Sequence, residues 1–498
     1  MTILILSTDA VYEEKKCLVK SGKDTHTFFS AGLQSFPGRV VIITRPCKNY
    51  YSAGKKVRVR TFLKFSGHNI PTKTDFRSNL CTFSKIVYYL IIWHIKSKNY
   101  PNWQKRYCET YFFHLKSVNF DTIWLYLQYN HFKTIIKMSI TTDNLSGLNA
   151  KDFEKVIDGK EVGLYILKNS QGNEVGVTNY GGAIVSIMVP DRDGNIANII
   201  QGHDNIESCI SSPEPFLSTL VGRYGNRIAK GKFHLNGKEY NLAVNNGPNH
   251  LHGGPTGFHA RVWEAEQINQ QTLVLRYVSA YYEEGFPGEL NMTVRYTWTD
   301  DNELIIDYRG KTNKKTVVNM TSHGFFSLQG LDAPTPKALD QIVEINADFY
   351  LPIDETSIPT GEILKVKGTP FDFTAPKPVG RDIEADDEQI KNGTGYDHCF
   401  VLNKSEVGEL TFAARVIEPN NGRTMEVYTT EPGMQFYSDN WADGFKGSHG
   451  ATFGKHSALC FEAQHFPDSP NKPHFPSVVL RPGEIYTQKT IYKFGTDK

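Results

Sequence analysis

The chain has 498 residues and a formal net charge of +2, enough for two or three average domains or for one large all-β body beside a smaller segment. The near-neutral total conceals two unlike parts, since residues 1–137 carry 22 Lys/Arg against 7 Asp/Glu and residues 138–498 carry 33 against 46. An acidic body argues against a nucleic-acid partner, because polyanion binding needs a basic face to displace counterions.

Met1–Ala10 is apolar but lacks a basic flank and is soon followed by Glu13 and Glu14, so no secretory signal is read there. The apolar run Ile86–Ile95 is broken by His94 and is about half the ~20 residues a spanning helix needs, so no membrane partner is expected. Residues 1–137 are rich in aromatics and lysine, as in Tyr88–Trp93 and Thr122–Leu127, and hold only 5 of the 41 glycines, with no sustained helical or strand period. A basic arm for RNA or lipid is one reading of that segment. The plainer expectation is that it has no function of its own and that Met138 is the natural first residue, leaving 138–498 as the working domain. Cys17, Cys47, Cys81 and Cys108 lie in the basic part, and Cys209, Cys399 and Cys460 are spread singly through the body with no CxxC pair. Scattered single cysteines fit reduced thiols in a cytoplasmic protein.

From about Glu161 the texture changes to short apolar alternations separated by Gly, Asn and Asp, the pattern of antiparallel strands joined by tight turns. Lys232–Tyr240 is the clearest hairpin, with Asn236-Gly237 supplying the two positive-φ positions of a type I′ turn, and Gln171–Asn173 and Asp191–Gly194 mark further reversals. Longer strands are predicted at Leu273–Ala280, Leu290–Thr299, Glu303–Lys311 and Thr316–Met320. No part of the body combines caps with a 3.6-residue period over three turns. The reading is all-β: one large antiparallel β-sandwich with little helix and no glycine-rich nucleotide loop.

Four polar clusters interrupt this texture. In Gly222–Ile228, Arg223, Asn226 and Arg227 offer donors suited to hydroxyls or carboxylates, although surface arginines are common. In Asn249–Gly254, a strand would put His250 and His252 on one face as a metal pair; the paired glycines suggest instead a backbone that must pass close to a ligand. In Asn319–Phe326, His323 taken alone reads more readily as a core histidine than as a catalyst. In Cys460–Asp468, Glu462 follows an apolar run that reads as a buried strand, so its carboxylate must find partners or shift its pKa. A buried glutamate facing a histidine is what acid–base work requires.

Together the clusters resemble the aldose 1-epimerase (galactose mutarotase) family over roughly Gly163–Phe494. The resemblance rests on Gly222–Ala229, Leu251–Gly254, Gly395–His398, Glu431–Tyr437, Phe475-Pro476 and Leu480–Glu484. It implies a β-supersandwich that interconverts α and β anomers of an aldose by ring opening and reclosure. It makes Glu462 the base at the C1 hydroxyl, His323 the acid at the ring oxygen and His252 a second histidine near that oxygen. Asn226, Arg227, His252, Asp397 and Gln435 would hold the sugar. The resemblance implies no required cofactor, a bound Ca2+ at most, and an aldose as partner; a monomer is expected, with a dimer as the alternative. The third cluster departs from the family pattern, with Gly324, Phe325, Phe326, Ser327 and Leu328 where Ser or Thr and then Tyr-Phe-Asn-Leu are usual, which bears on substrate preference. The rival readings are a non-catalytic carbohydrate-binding sandwich, a hexose-phosphate epimerase using Arg223 and Lys230, and a metal-assisted lyase or hydrolase on His250 and His252.

Overall fold

Alternation sets the architecture. Along Leu290–Trp298 every second residue, Leu290, Met292, Val294, Tyr296 and Trp298, is buried, and Leu304, Ile306 and Tyr308 of Glu303–Thr312 face the same way. A period of two with one apolar face makes a sheet that must cover that face with a second layer.

The computed structural model describes residues 144–331 and 337–497, with the backbone of strands Ile3–Leu6, Val40–Thr44, Thr61–Phe65 and His68–Thr72. The chain divides into two units, Met1–Ser139 and Ile140–Lys498. In the first, those four strands pair antiparallel in chain order, where the sequence carries no sustained strand period. The aromatic runs at 88–93 and 122–127, the apolar run at 86–95 and Met138 lie outside the described residues.

The second unit is a β-sandwich. Its long sheet has nine strands in the order Glu264–Asn269, Thr272–Ser279, Leu290–Trp298, Glu303–Thr312, Tyr486–Thr496, Arg423–Thr429, Thr411–Ile417, Ile342–Ile345 and Lys377–Pro378. Its six-stranded sheet runs Phe325–Phe326, Leu459–Gln464, Gly433–Tyr437, Asp397–Val401, Phe349–Tyr350 and Leu364–Lys365. All paired strands are antiparallel in both sheets. Among the described residues the α-helices are single short turns, Ile206–Ile210 and Glu388–Gly393. The predicted all-β sandwich is therefore the observed fold.

The predicted reversals form as read. Asn236 and Gly237 take φ +54° and +72° between Lys232–Leu235 and Lys238–Asn241, and Asp191 closes its turn by donating from its backbone N–H to the Asn195 carbonyl. One strand is shorter than predicted. Pairing ends at Thr316–Val317 because Val318 turns to bond Val478 and Asn319 turns to bond Arg223.

The six-stranded sheet positions the site because its central strands are buried on both faces. Leu459, Phe461, Met434, Phe436 and Phe400 enter the sandwich core, and the Tyr492 hydroxyl of the long sheet donates to the Phe461 carbonyl at 2.9 Å. Period two then assigns Cys460, Glu462 and Gln464, with Gln435, Tyr437 and Asp397, to the opposite face. Glu462 pairs directly with Gln435, and Asp397 with Tyr437.

Candidate active site

Glu462 is buried on its strand, with Phe461 and Ala463 holding the core side. Burial pushes its carboxyl well above the usual range, reinforced by the nearby Asp397 charge and opposed by Arg227. His323 follows the short strand Thr321–Ser322 that pairs with Leu220–Val221; its backbone N–H donates to Thr219 and its carbonyl accepts from Ser218. Its Nε2 lies 3.5 Å from Glu462 Oε1. Burial lowers the His323 imidazole to about 4, and the ring stacks on Phe325 with centroids 4.8 Å apart and planes at 13°.

His252 follows the two-residue strand His250–Leu251, which pairs with Arg227–Ile228. It adopts φ +52° and accepts the Asn226 backbone N–H at Nδ1, 3.1 Å away. Burial, then the proximity of His323 and Arg227, holds its pKa well below the ordinary histidine value. A neutral ring that accepts at Nδ1 must carry its proton on Nε2, so His252 presents a hydrogen-bond donor to the site. Its ring centroid is 5.1 Å from that of His323.

The sugar-holding candidates converge from the other side. Arg227 reaches Asp397 Oδ2 at 3.4 Å through Nη1 and Asn246 Oδ1 at 3.0 Å through Nε. Gln435 Nε2 donates to Asp397 Oδ1 at 2.7 Å. Asn226, at φ +64°, accepts the Arg227 N–H on its side-chain oxygen at 2.9 Å. Glu462 Oε2, His323 Nδ1 and Gln435 Oε1 are buried without a protein partner. Orphaned buried polar atoms gathered at one place are the mark of a site built for a polar ligand.

Every residue that the sequence reading placed in the site is thus brought to it, but several neighbouring readings are corrected. His250 and His252 are not a metal pair: the strand ends at Leu251, and His250 turns into the core, where Nδ1 bonds the Ala243 carbonyl and the ring meets Phe286 edge-on. Arg223 faces away from the site, buried and bonded to Ser279, Pro287 and Gly288. Gly253 passes close to protein backbone, since a Cβ there would lie 2.0 Å from the Gly222 carbonyl oxygen. At Gly324, where the family usually has Ser or Thr, a Cβ would meet the Phe326 ring at 2.7 Å. Sequence reasoning missed Phe216, whose ring lies 4.7 Å from His252 and stacks at 6.4 Å on His323, and also Asn246. Neither sits in a motif, and both arrive by loop closure.

Among the described residues, His252, His323 and Glu462 are the one group of three or more His, Cys, Asp or Glu in reach of a common ion, with donor atoms within 4.8 Å of one another. Two nitrogens and one carboxylate do not fit Ca2+, which takes six to eight oxygens, and the His252 proton on Nε2 blocks a softer metal there.

A large antiparallel sandwich with a buried His–Glu pair facing an Arg, Asp and Gln rim is a site for acid–base chemistry on a polar small molecule. The aldose 1-epimerase family model matches residues 163–493. Galactose mutarotase of Bos taurus is 44% identical over 322 residues, covering 64% of this chain and 91% of the relative. Aldose 1-epimerase of Escherichia coli K12 is 37% identical over 339 residues, covering 68% and 96%. Among solved structures, an aldose epimerase homologue from C. elegans superposes with TM-score 0.62 at 28% identity, covering 68% of this chain and all of that one. The chain belongs to the aldose 1-epimerase family and interconverts the α and β anomers of aldoses, a chemistry for which the family generally needs no cofactor.

Proposed function

We propose that Glu462 and His323 move the two protons of this reaction. Opening a pyranose requires the C1 hydroxyl to lose a proton as the bond from C1 to the ring oxygen breaks and that oxygen gains one. The two oxygens share C1 and so lie closer together than a hydrogen-bond length. A carboxylate and an imidazole 3.5 Å apart match such a pair of targets. Glu462 takes the C1 hydroxyl proton, His323 gives one to the ring oxygen, and the aldehyde turns about C1–C2 before the protons return in reversed roles. Each group within hydrogen-bond reach contributes roughly 10²-fold or more. His252 donates from Nε2 near the ring oxygen, and Asn226, Arg227, Asp397 and Gln435 hold the hydroxyls.

The observation that carries this reading is the buried contact between Glu462 and His323 beside orphaned polar atoms. Galactose and glucose are the substrates we favour, by kinship with relatives named galactose mutarotase. A phosphorylated sugar is disfavoured because Arg227 is already engaged by Asp397 and Asn246 and Arg223 points away. All proposed site groups come from one chain, so a monomer suffices. The buried thiols Cys399 and Cys460 fit a reducing compartment, and we place the enzyme in the cytoplasm. Calcium is given no role. Polarimetry of freshly dissolved α-galactose tests the pair: Glu462→Gln and His323→Asn should each lower kcat by about 10²-fold or more. Either variant reaching equilibrium rotation at the parent rate would overturn the assignment.

A further inference from the structure

Asn319 is fully buried and is not one of the groups assigned to the sugar, yet its bonds join three segments that each carry part of the site. Its backbone N–H donates to Arg223 at 3.1 Å, and its carbonyl accepts from Gly225 at 2.6 Å. Its side-chain Nδ2 donates to the Gly225 carbonyl at 3.0 Å and to the His465 carbonyl at 3.3 Å, while Oδ1 accepts the His465 N–H at 2.9 Å. Gly225 immediately precedes Asn226 and Arg227. His465 lies three positions after Glu462 and directly follows its strand, and Asn319 itself begins the segment that reaches His323.

Both hydrogens of the amide and its oxygen are therefore spent on a tie between the sugar-holding loop and the strand of the base. No other residue type of this size offers two donors and an acceptor in one plane. The loop is held to the same chain segment at two further places: the Tyr224 hydroxyl donates to the Phe466 carbonyl at 3.2 Å and accepts the Ser469 N–H at 3.1 Å, and Asp468 N–H donates to the Arg227 carbonyl while its Oδ1 accepts from Ala229. Those ties run through the Tyr224 ring or lie beyond the strand, whereas Asn319 joins the backbone of Gly225, directly before Asn226, to the backbone of His465, directly after the strand of Glu462.

We propose that Asn319 is a positioning residue that fixes the distance between Glu462 and the Asn226–Arg227 loop. This rests on the roles proposed above for Glu462 and Arg227. A displacement of about 1 Å between reacting groups costs up to roughly 10²-fold in rate, so a tie of this kind governs turnover without touching substrate.

The test uses the full chain with Asn319→Ala, Asn319→Asp and Glu462→Gln side by side. Asn319→Ala, with an unchanged circular dichroism spectrum and a Tm above the assay temperature, should lose about 10-fold or more in kcat/KM. Asn319→Asp keeps the acceptor for His465 but turns both donated bonds into oxygen–oxygen repulsion. Protonation of the introduced carboxyl restores one donor, so the activity ratio of this variant to the parent should rise several-fold as pH falls. His465 is paired with Glu431 in both proteins, so the ratio isolates the carboxyl introduced at position 319 and its neighbours. Folded Asn319→Ala with kcat/KM within about 2-fold of the parent overturns the proposal. Should Asn319→Ala not fold, the ratio decides, and a pH-independent ratio overturns it. Full activity in Glu462→Gln would instead refute the assignment of the base, which separates the two failures.

Discussion

Glu462 and His323 hold one exchangeable proton between them, and where it rests decides how the enzyme answers to pH. Burial raises the carboxyl and lowers the imidazole, so before substrate arrives the neutral acid and neutral imidazole are favoured over the ion pair. Both arrangements contain the same number of protons and share one pH window. Below about 4 the imidazole takes a second proton and Glu462 has no means of acting as base. Above the raised pKa of Glu462 the shared proton is gone and nothing is left to give the ring oxygen. The kcat/KM profile should therefore have its acid limb near pH 4 and its alkaline limb well above the ordinary carboxylate range; an acid limb at the ordinary histidine value would contradict this. Phe216, stacked across His323, contributes to the burial that lowers it. Phe216→Ala admits water and should move the acid limb upward toward the unperturbed value of about 6.5, measurable as a selective loss of activity near pH 5.

The strand of Glu462 was legible because it obeys one period. Ala458–Phe461 reads as an apolar run that leads into Glu462, and alternation along the observed strand Leu459–Gln464 places Glu462 opposite the core-facing Phe461. In the long sheet three strands, Thr272–Ser279, Leu290–Trp298 and Glu303–Thr312, were legible for the same reason, to within a residue of their ends, and the other six were not read from the sequence. The loops were not, because a period carries no information about where a turn will close. His252 illustrates this: a strand reading pairs it with His250, whereas a left-handed residue after Leu251 sends the two rings to opposite places. The adjacent Gly253, at φ +83° and against the Gly222 carbonyl, makes that turn. Gly253→Ala combines an unfavourable φ with a backbone clash and should cost roughly 1–3 kcal/mol or more, seen as a lower Tm. Because the clash falls beside the loop of Asn226 and Arg227, KM for galactose should rise in the fraction that folds. An unchanged Tm and KM would mean that the turn is not held as described.

At the scale of the molecule, the proposed machinery is confined to one unit. Phe216, the first site-lining residue in the chain, and Glu462, the last of the assigned groups, both lie inside residues 163–493, the span matched by the family. Relatives named galactose mutarotase and aldose 1-epimerase align over 91% and 96% of their own lengths with 64% and 68% of the chain. The division between units falls at Ser139 and Ile140. The body has its own core, in which Trp298, Tyr492, Phe436 and Phe461 join the two sheets, as a domain that can fold alone requires. A protein comprising residues 138–498 should fold with one cooperative transition and show kcat/KM for α-galactose within about 2-fold of the full chain, a difference below roughly 0.4 kcal/mol in transition-state binding. Removing a segment of 22 cations and 7 anions should leave the pH limits of catalysis in place, because burial within the body is the first cause of the shifts at both Glu462 and His323. A marked fall in kcat/KM, or a shift in the acid limb, would instead make residues 1–137 part of the working enzyme.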